Sequence, residues 1–309
     1  MGPNGLGPSW DLVADIQLLL MYPFMRNAFI AGTLVAIIAG LLGFFMVARS
    51  QSFAAHSLAN VGFAGATGAT LIGAAPVVGL FVSGALAALG IHWLGLGAKG
   101  SRQSRQSGQT DIAVGAVLTA CLALGYLFLR LASSEYAGAV YNALFGNTLG
   151  VSGSDLRVIV VATVAVVVAL IFGGRPLYFA SLDPDVAAAK RLPVQALGLG
   201  YLLLLAIVVA VAVQITGVLP IFALLVTPAA IARTLTARPA LALALGVPLA
   251  VIFTWLGLAF GYFSPYPVGF FITTFAFGTY VIVQAGHWLH DQYRHQRAAA
   301  TLMESEAAA

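Results

Sequence analysis

Long apolar runs with few charged residues recur from one end of this chain to the other, and they restrict its fold more than any other feature. Runs such as VIVVATVAVVVALIF are apolar on every face, unlike the alternating pattern of membrane β-strands. Only 8% of the 309 residues are charged, whereas soluble domains have about 25%. Because about 20 apolar residues cross a bilayer as a helix, the sequence predicts an all-α polytopic membrane protein.

Nine of these runs are predicted to span the membrane, and the short connections between them hold most of the proline and charge. They predict a transmembrane domain over 27–288, an N-terminal extracytoplasmic segment at 1–26 and a polar cytoplasmic tail at 289–309. We expect the first span, and not a cleaved signal peptide, to direct insertion. The predicted spans are 27–48, 54–73, 75–97, 112–132, 156–174, 194–213, 217–235, 240–262 and 267–288.

Lysine and arginine are distributed unevenly between the two sides of the predicted membrane. If the N-terminus is outside and all nine segments span, 11 of these residues lie on one side and 3 on the other, which accounts for all 14. Cytoplasmic loops carry the excess of positive charge. The count therefore predicts a multi-pass protein of the cytoplasmic membrane with its C-terminus in the cytoplasm.

Residues that could carry chemistry are few. No nucleotide-binding phosphate loop, zinc-protease motif or nucleophile elbow occurs in the sequence. We therefore expect a transport subunit and not an enzyme, with any ATP hydrolysis performed by a separate partner. No permanently bound cofactor is expected.

Ionisable residues inside spans are costly and are therefore functional candidates. His56 lies near the start of the second span, with Asn60 four residues later, and Asp111 opens the fourth. Imidazole suits zinc, manganese or iron, and a carboxylate adds charge compensation. His56 and Asp111 are thus candidate metal ligands. The alternatives are an interfacial histidine with water and backbone partners, and a helix N-cap at Asp111.

Two prolines interrupt the seventh predicted span, in TGVLPIFALLVTPAAIART. Breaks of this kind often line a transport pathway, so Pro220 and Pro228 are further candidates for the substrate pathway. A packing kink without a transport role is the alternative at both positions.

Several motifs occur together in one order along the chain. They are GLLGFFMVARSQSFAAHSLANVGFAGA, TDIAVGAVLTACLALGYLFL, LFGNTLGVSGSDL, LDPDVAAAKRLPV and GVLPIFALLVTPAAIA. In this combination the chain resembles the ABC-3 family of permeases, the membrane subunits of zinc, manganese and iron importers. The last motif is the most specific of the set.

The resemblance implies a type II ABC importer-like fold that translocates a divalent metal ion. It also implies a permease dimer, two cytoplasmic ATPase subunits and an extracytoplasmic metal-binding protein. The DPDVAAAKR stretch lies in a predicted cytoplasmic loop over 175–195, and its acidic residues precede its basic ones, which predicts a short helix there. By the resemblance, this stretch would couple the permease to the ATPase. Its candidate coupling residues are Asp183, Asp185, Ala187, Lys190 and Arg191.

The chain departs from the family pattern at three positions. Ser52 stands where the family often has an aspartate four residues before the histidine, and Thr110 replaces the first residue of an acidic pair. Arg191 stands where the family usually has glycine. With fewer carboxylates, a permease of the same fold that carries a non-metal solute stays an alternative. An ion-gradient-driven secondary transporter is a second alternative, although it would need more ionisable groups inside spans.

Overall fold

The computed structural model describes residues 21–96, 106–132, 146 and 148–307. Within these residues every regular element is helical, which confirms the predicted all-α class. The elements are α1 (Pro23–Ala48), α2 (Ser52–Leu71), α3 (Pro76–Leu96), α4 (Gln106–Ala132), a 3-10 turn (Thr148–Gly150), α5 (Gly153–Leu182), α6 (Pro184–Ala189), α7 (Val194–Thr216), α8 (Val218–Leu235), α9 (Pro239–Phe263) and α10 (Val268–Ala307).

Seven helices in the described part of the chain are long and apolar enough to span a membrane, namely α1, α3, α4, α5, α7, α9 and α10. The predicted spans 54–73 and 217–235 also form helices, α2 and α8. However, serine, threonine, histidine and asparagine interrupt the apolar sequence of α2. The apolar part of α8, Pro220–Leu235, is shorter than a membrane span requires. The predicted number of nine spans is therefore not confirmed, and both departures fall on helices that carry candidate site residues.

Several helix boundaries differ from the predicted spans. Helix α1 begins at Pro23, because a proline at the first helical position needs no partner for an N–H group. Helix α4 begins at Gln106, inside the polar connection that was expected to be a loop. Helix α5 continues through Pro176 to Leu182, well beyond the predicted end at 174. Part of the predicted cytoplasmic loop is therefore helical.

The C-terminal tail is also helical. Helix α10 passes the predicted boundary at 288 without a break and ends at Ala307. The tail contains alanine, glutamate, glutamine and arginine, all of which favour helix. The described residues do not include 1–20, which form most of the predicted N-terminal segment, or the connection over 97–105. Predictions for these residues rest on sequence alone.

Glycines set the closest approaches between helices. A Cβ atom on Gly65 of α2 would overlap the carbonyl oxygen of Gly79 in α3, and one on Gly43 of α1 would overlap the backbone of Leu225 in α8. Small residues permit this approach in membrane proteins, where van der Waals packing drives helix association. Accordingly, α2 packs against α3 and α4, and α1 packs against α8 and α9.

Helices α1 and α7 each contribute more buried residues than any other described helix. Six consecutive residues of α7, 208–213, are buried. The outer helices instead expose large apolar side chains, including Ile112 of α4, Phe172 of α5 and Ile282 of α10, which are 73%, 81% and 73% exposed. A surface of this kind is expected to face lipid, because large exposed apolar patches mark membrane or protein contacts.

The bundle has two distinct ends. At the end that carries α6, the turn between α1 and α2 meets the end of α5 and the start of α7, because Arg49 contacts Ser181 and Tyr201. The short helix α6 lies between α5 and α7 at this end. The opposite end is called the cavity end. A common cavity there is lined by the last turns of α2, α4 and α7 and by the first turns of α3 and α5.

Candidate functional site

His56 lies in the second turn of α2 and faces α8. Its Nε2 atom is 3.3 Å from Nδ2 of Asn60, and the same amide nitrogen donates to the His56 carbonyl oxygen at 2.9 Å. The imidazole meets the ring of Phe222 edge to face, with 5.2 Å between ring centroids. Its Nδ1 atom is buried and has no hydrogen-bond partner among the described residues. One nitrogen of the ring is therefore unused at this helix contact.

Three predicted pathway residues share one face of α2. Ser52, His56 and Asn60 follow at intervals of four residues, and this spacing stacks side chains along a helix. The neighbouring Ser57 is fully buried, and its hydroxyl has no partner within the described part of the chain. Sequence reasoning did not select Ser57 or Phe222, because serine and phenylalanine are common in spanning helices and neither belongs to a motif with known chemistry.

The two candidate prolines lie in α8, the helix that His56 faces. Both are buried. Pro220 lies in the first turn, where an N–H group needs no intrahelical partner, so it does not break the helix. Pro228 lies in the interior and cannot donate to the carbonyl of Leu224. The actual discontinuity is at Gly217, whose φ of 82° ends α7 and begins α8.

Asp111 lies within α4, five residues after the helix begins at Gln106. The N-cap alternative for Asp111 is therefore wrong. Near this residue α4 packs on the start of α2, since a Cβ atom on Gly115 would lie 3.9 Å from Phe53. The side chains of Thr110 and Asp111 are outside the described residues, so a pairing of Asp111 with His56 stays a prediction. Among the side chains that are described, no three His, Cys, Asp or Glu residues gather at one point.

Two of the sequence motifs meet in space. Gly146, the glycine of LFG, has a φ of 72°, and a Cβ atom there would overlap the carbonyl oxygen of Ile215. Thr148 lies just after it and donates from its hydroxyl to the same carbonyl. Ile215 lies two residues before the turn at Gly217. The LFG motif therefore supports the junction between α7 and α8, whose second helix faces His56.

Helix α6 contains the predicted coupling residues. Asp183 is its N-cap and accepts a hydrogen bond from the Val186 N–H at 3.0 Å. Asp185 lies in the first turn and Lys190 follows the last, an order that suits the helix dipole. The predicted short helix is thus confirmed. Within α6 only Ala187 is buried, at 0% exposure.

The end of α6 explains the glycine that the family usually has there. Arg191 has a φ of 59°, in the left-handed region that favours glycine. Its N–H donates to the carbonyl of Ala188 at 2.9 Å, and the N–H of Leu192 donates to that of Ala187 at 3.1 Å. This pair of bonds is a Schellman motif. Lys190 also contacts α5, with its Nζ 4.8 Å from the centroid of Phe179.

A cavity of about 400 Å³ opens at the cavity end. Its polar lining residues include Thr67, Thr70, Asp155 and Gln214. Asp155 closes a capping box with Ser152, and Thr70 and Gln214 donate to carbonyls of their own helices. Thr67 donates within α2 and also to the carbonyl of Gly125 in α4. Sequence reasoning did not predict this cavity, because its lining comes from five helices spread along the chain.

Polar side chains lie at the contact of α2 and α8 inside an otherwise apolar bundle, and intramembrane polar groups often mark solute pathways. The seven long apolar helices define the class of the chain as a multi-pass membrane protein. The chain belongs to the ABC 3 transport family, whose sequence profile matches residues 21–286. The match confirms the resemblance drawn from the sequence motifs.

Individual relatives are similar over most of their length. The manganese transport system membrane protein MntC of Halalkalibacterium halodurans is 32% identical over 251 residues, which are 81% of this chain and 82% of the relative. The manganese import system permease protein ScaB of Streptococcus parasanguinis is 29% identical over 256 residues, or 82% and 87% of the two chains. Among solved structures, PsaBC from Streptococcus pneumoniae in complex with Fab has a TM-score of 0.76 and 26% identity, covering 88% of this chain and 95% of that chain.

Proposed function

We propose that this chain is the membrane-spanning permease of an ATP-driven importer for a divalent transition-metal ion, with manganese as the first candidate substrate. Zinc and iron are the other candidates. Membership of the ABC 3 transport family supports transport as the activity. Relatives whose names specify manganese transport support the choice of metal.

The observation that carries the metal proposal is the setting of His56. Its imidazole has a buried nitrogen without a partner among the described residues, and its other nitrogen faces Asn60. Neutral imidazole binds divalent first-row metals, and carbonyl oxygens suit manganese. The oxygen and nitrogen of an asparagine amide exchange places on rotation, so Asn60 can offer its oxygen beside His56. The proposed ion would thus pass a nitrogen and an oxygen ligand on one face of α2.

The pathway would run between α2 and α8. Phe222 closes against the His56 ring, and Pro220 and Pro228 lie on the same helix. Pro228 leaves the Leu224 carbonyl without its usual helical donor, which provides a further oxygen acceptor along α8. We propose that Ser52, on the same face of α2 as His56, and Asp111 of α4 complete this pathway.

Coupling to ATP hydrolysis would occur through α6. Apart from Ala187, every residue of this helix is exposed, and so are Asp183, Lys190 and Arg191 around it. A short, charged, exposed helix suits docking to a soluble subunit. We propose two cytoplasmic ATPase subunits, a permease dimer and an extracytoplasmic metal-binding protein as partners. The positive-charge count supports a cytoplasmic α6 and C-terminus with the N-terminus outside.

Metal uptake by proteoliposomes tests this function. The chain is co-reconstituted with its ATPase and binding protein, and uptake of manganese, zinc and iron is followed with and without ATP. We expect ATP-dependent uptake of manganese, abolished in His56→Ala and retained in His92→Ala, a histidine of α3 outside the proposed pathway. Uptake that persists without the ATPase would overturn the importer proposal. An ATP-hydrolysing complex that moves none of the three metals would point to a non-metal solute.

A further inference from the structure

Arg49 occupies a well-defined turn between α1 and α2. The Ser50 N–H donates to the Val47 carbonyl at 3.2 Å, the Gln51 N–H donates to that of Met46 at 3.0 Å, and Ser50 has a φ of 54°. This is a second Schellman motif. It fixes where the side chain of Arg49 leaves the backbone. Only three residues separate α1 from α2, the helix that carries His56.

The guanidinium of Arg49 contacts three other segments. Its Nε donates to Oε1 of Gln51 at 3.3 Å, and its Nη1 donates to Oγ of Ser181 at 3.2 Å. Its Cζ lies 5.3 Å from the centroid of the Tyr201 ring. Gln51 is the N-cap of α2, Ser181 is near the end of α5, and Tyr201 is in α7. One side chain therefore joins the start of the His56 helix to both helices that flank α6.

The link to α6 is short. Ser181 precedes Asp183, the α6 N-cap, by two residues. The Ser181 hydroxyl accepts from Arg49 and donates to the carbonyl of Leu177, so both of its hydrogen-bonding roles are filled and its orientation is fixed. A displacement of α6 that moves the end of α5 would therefore act directly on the guanidinium of Arg49.

The surroundings of Arg49 are costly for a structural cation. Burial lowers the pKa of its guanidinium, and its contacts with Gln51, Ser181 and Tyr201 are all to neutral groups. A desolvated cation with neutral partners recovers less energy than an ion pair, even where an aromatic ring adds a favourable contact. The planar guanidinium presents several donors in fixed directions and so holds these partners in one geometry, whereas a lysine ammonium is a compact charge on a flexible stem.

We propose that Arg49 is a positioning residue that transmits movement of α6 to the start of α2, and hence to His56. The inference rests on the proposed function, because it assigns the route by which ATP hydrolysis would reach the metal pathway. The physical requirement is a contiguous chain of contacts between the two sites. That chain runs from α6 through Ser181 and Arg49 to Gln51 and α2.

The test compares Arg49→Gln, Arg49→Lys and Ser181→Ala with a matched control, Arg175→Gln, in the reconstituted complex. Arg175 is exposed and lies on α5 near the same end. We expect Arg49→Gln to hydrolyse ATP but to lower metal uptake per ATP by roughly tenfold, within the range found for mutations along coupling networks. Ser181→Ala should lower uptake per ATP less than Arg49→Gln does, and Arg49→Lys should give an intermediate value. Uptake per ATP in Arg175→Gln should equal that of the wild type.

A double variant separates transmission from simple stability. If Ser181 acts only through Arg49, adding Ser181→Ala to Arg49→Gln should have no further effect on uptake per ATP. Thermal unfolding of each variant in detergent checks folding independently. If Arg49→Gln unfolds, Ser181→Ala alone decides the question. Wild-type uptake per ATP in both Arg49→Gln and Ser181→Ala would overturn the proposal.

Failure of the proposed function would give a different result. A wild-type complex that hydrolyses ATP but moves no metal would contradict the proposed substrate. The transmission role of Arg49 is then tested by amide exchange at residues 52–57. In the wild type, exchange there should differ between nucleotide-free and vanadate-trapped complexes. In Arg49→Gln this difference should disappear. A difference that persists in Arg49→Gln would overturn the transmission role whatever the solute.

Discussion

The hydroxyl of Thr148 donates a hydrogen bond to the carbonyl oxygen of Ile215 at 2.7 Å, across 67 residues of sequence. Both residues are buried. Ile215 lies at the end of α7, where helix carbonyls lose their intrahelical donors. The bond therefore supplies a donor to a helix end that would otherwise be unsatisfied inside an apolar bundle, and it fixes the junction that leads into α8.

Thr148→Val should destabilise the protein, because it keeps the shape of the side chain but removes this donor. Leaving a buried carbonyl unsatisfied costs about 1–3 kcal/mol. The measurement is thermal unfolding in detergent. Thr119→Val is the matched control, since the Thr119 hydroxyl bonds only within its own helix and is exposed. Equal stability of the two variants would show that the Thr148 bond does not support the junction.

Arg191→Gly should stabilise the end of α6. A residue with a Cβ atom in the left-handed region costs about 1–2 kcal/mol relative to glycine, and glycine loses part of this gain through its larger entropy in the unfolded chain. In this variant we expect slower exchange of the backbone amides at position 191 and at Leu192, which form the two Schellman bonds.

Arg191→Ala serves as the control for charge. It removes the guanidinium but keeps the Cβ atom at a φ of 59°. Exchange in the alanine variant should match the wild type. If alanine and glycine slow exchange equally, loss of the positive charge and not relief of backbone strain is the cause.

Substitutions of Asp183 should separate capping from charge in α6. Asp183→Ala removes the acceptor for the Val186 N–H, and loss of such a cap costs about 1 kcal/mol. Asp183→Asn keeps a capping oxygen without the charge. In ATP-driven uptake we expect the asparagine variant to retain coupling and the alanine variant to lose most of it. Equal losses in both variants would mean that the ATPase recognises the carboxylate itself.

Ser52→Asp should tighten binding of the transported metal. The new carboxylate would lie one helical turn before His56, on the same face of α2. It would also lie at a helix N-terminus, where negative charge is favourable. We expect KM for manganese uptake to fall by about tenfold, equivalent to about 1.4 kcal/mol. The maximal rate should fall too, because tight binding slows release.

Ser52→Asn provides the neutral comparison for this substitution. It adds an oxygen ligand of similar size without a charge, so we expect a much smaller change in KM. The two variants are compared in the same reconstituted uptake assay. An unchanged KM in Ser52→Asp would place position 52 outside the metal pathway.

The sequence predicted the helical class, the family and the α6 helix, because each depends on local patterns. Apolar runs define spanning helices directly, and Asp183 with Lys190 marks the two ends of α6. The boundaries of α1 and α5 were less predictable. A proline can begin a helix, as Pro23 does, or be tolerated inside one, as Pro176 is, and packing decides between these outcomes.

The partners of the site residues could not be read from the sequence. The approach of Phe222 to His56 depends on how α2 and α8 cross, which close glycine contacts elsewhere in the bundle determine. Arg49 was counted only as one positive charge among fourteen. Its contacts with Ser181 and Tyr201 join residues more than 130 positions apart, and no local pattern reports such a contact.

The burial of Ala187 alone within α6 has a consequence for how such a system can evolve. The Ala187 methyl group is the one buried side chain of this helix, while Asp183, Asp185 and Lys190 are exposed. Surface substitutions remote from packing seldom change stability by more than about 0.5 kcal/mol. With α6 as the proposed docking helix, a change of ATPase partner would need only a few surface substitutions and would leave the buried architecture unchanged.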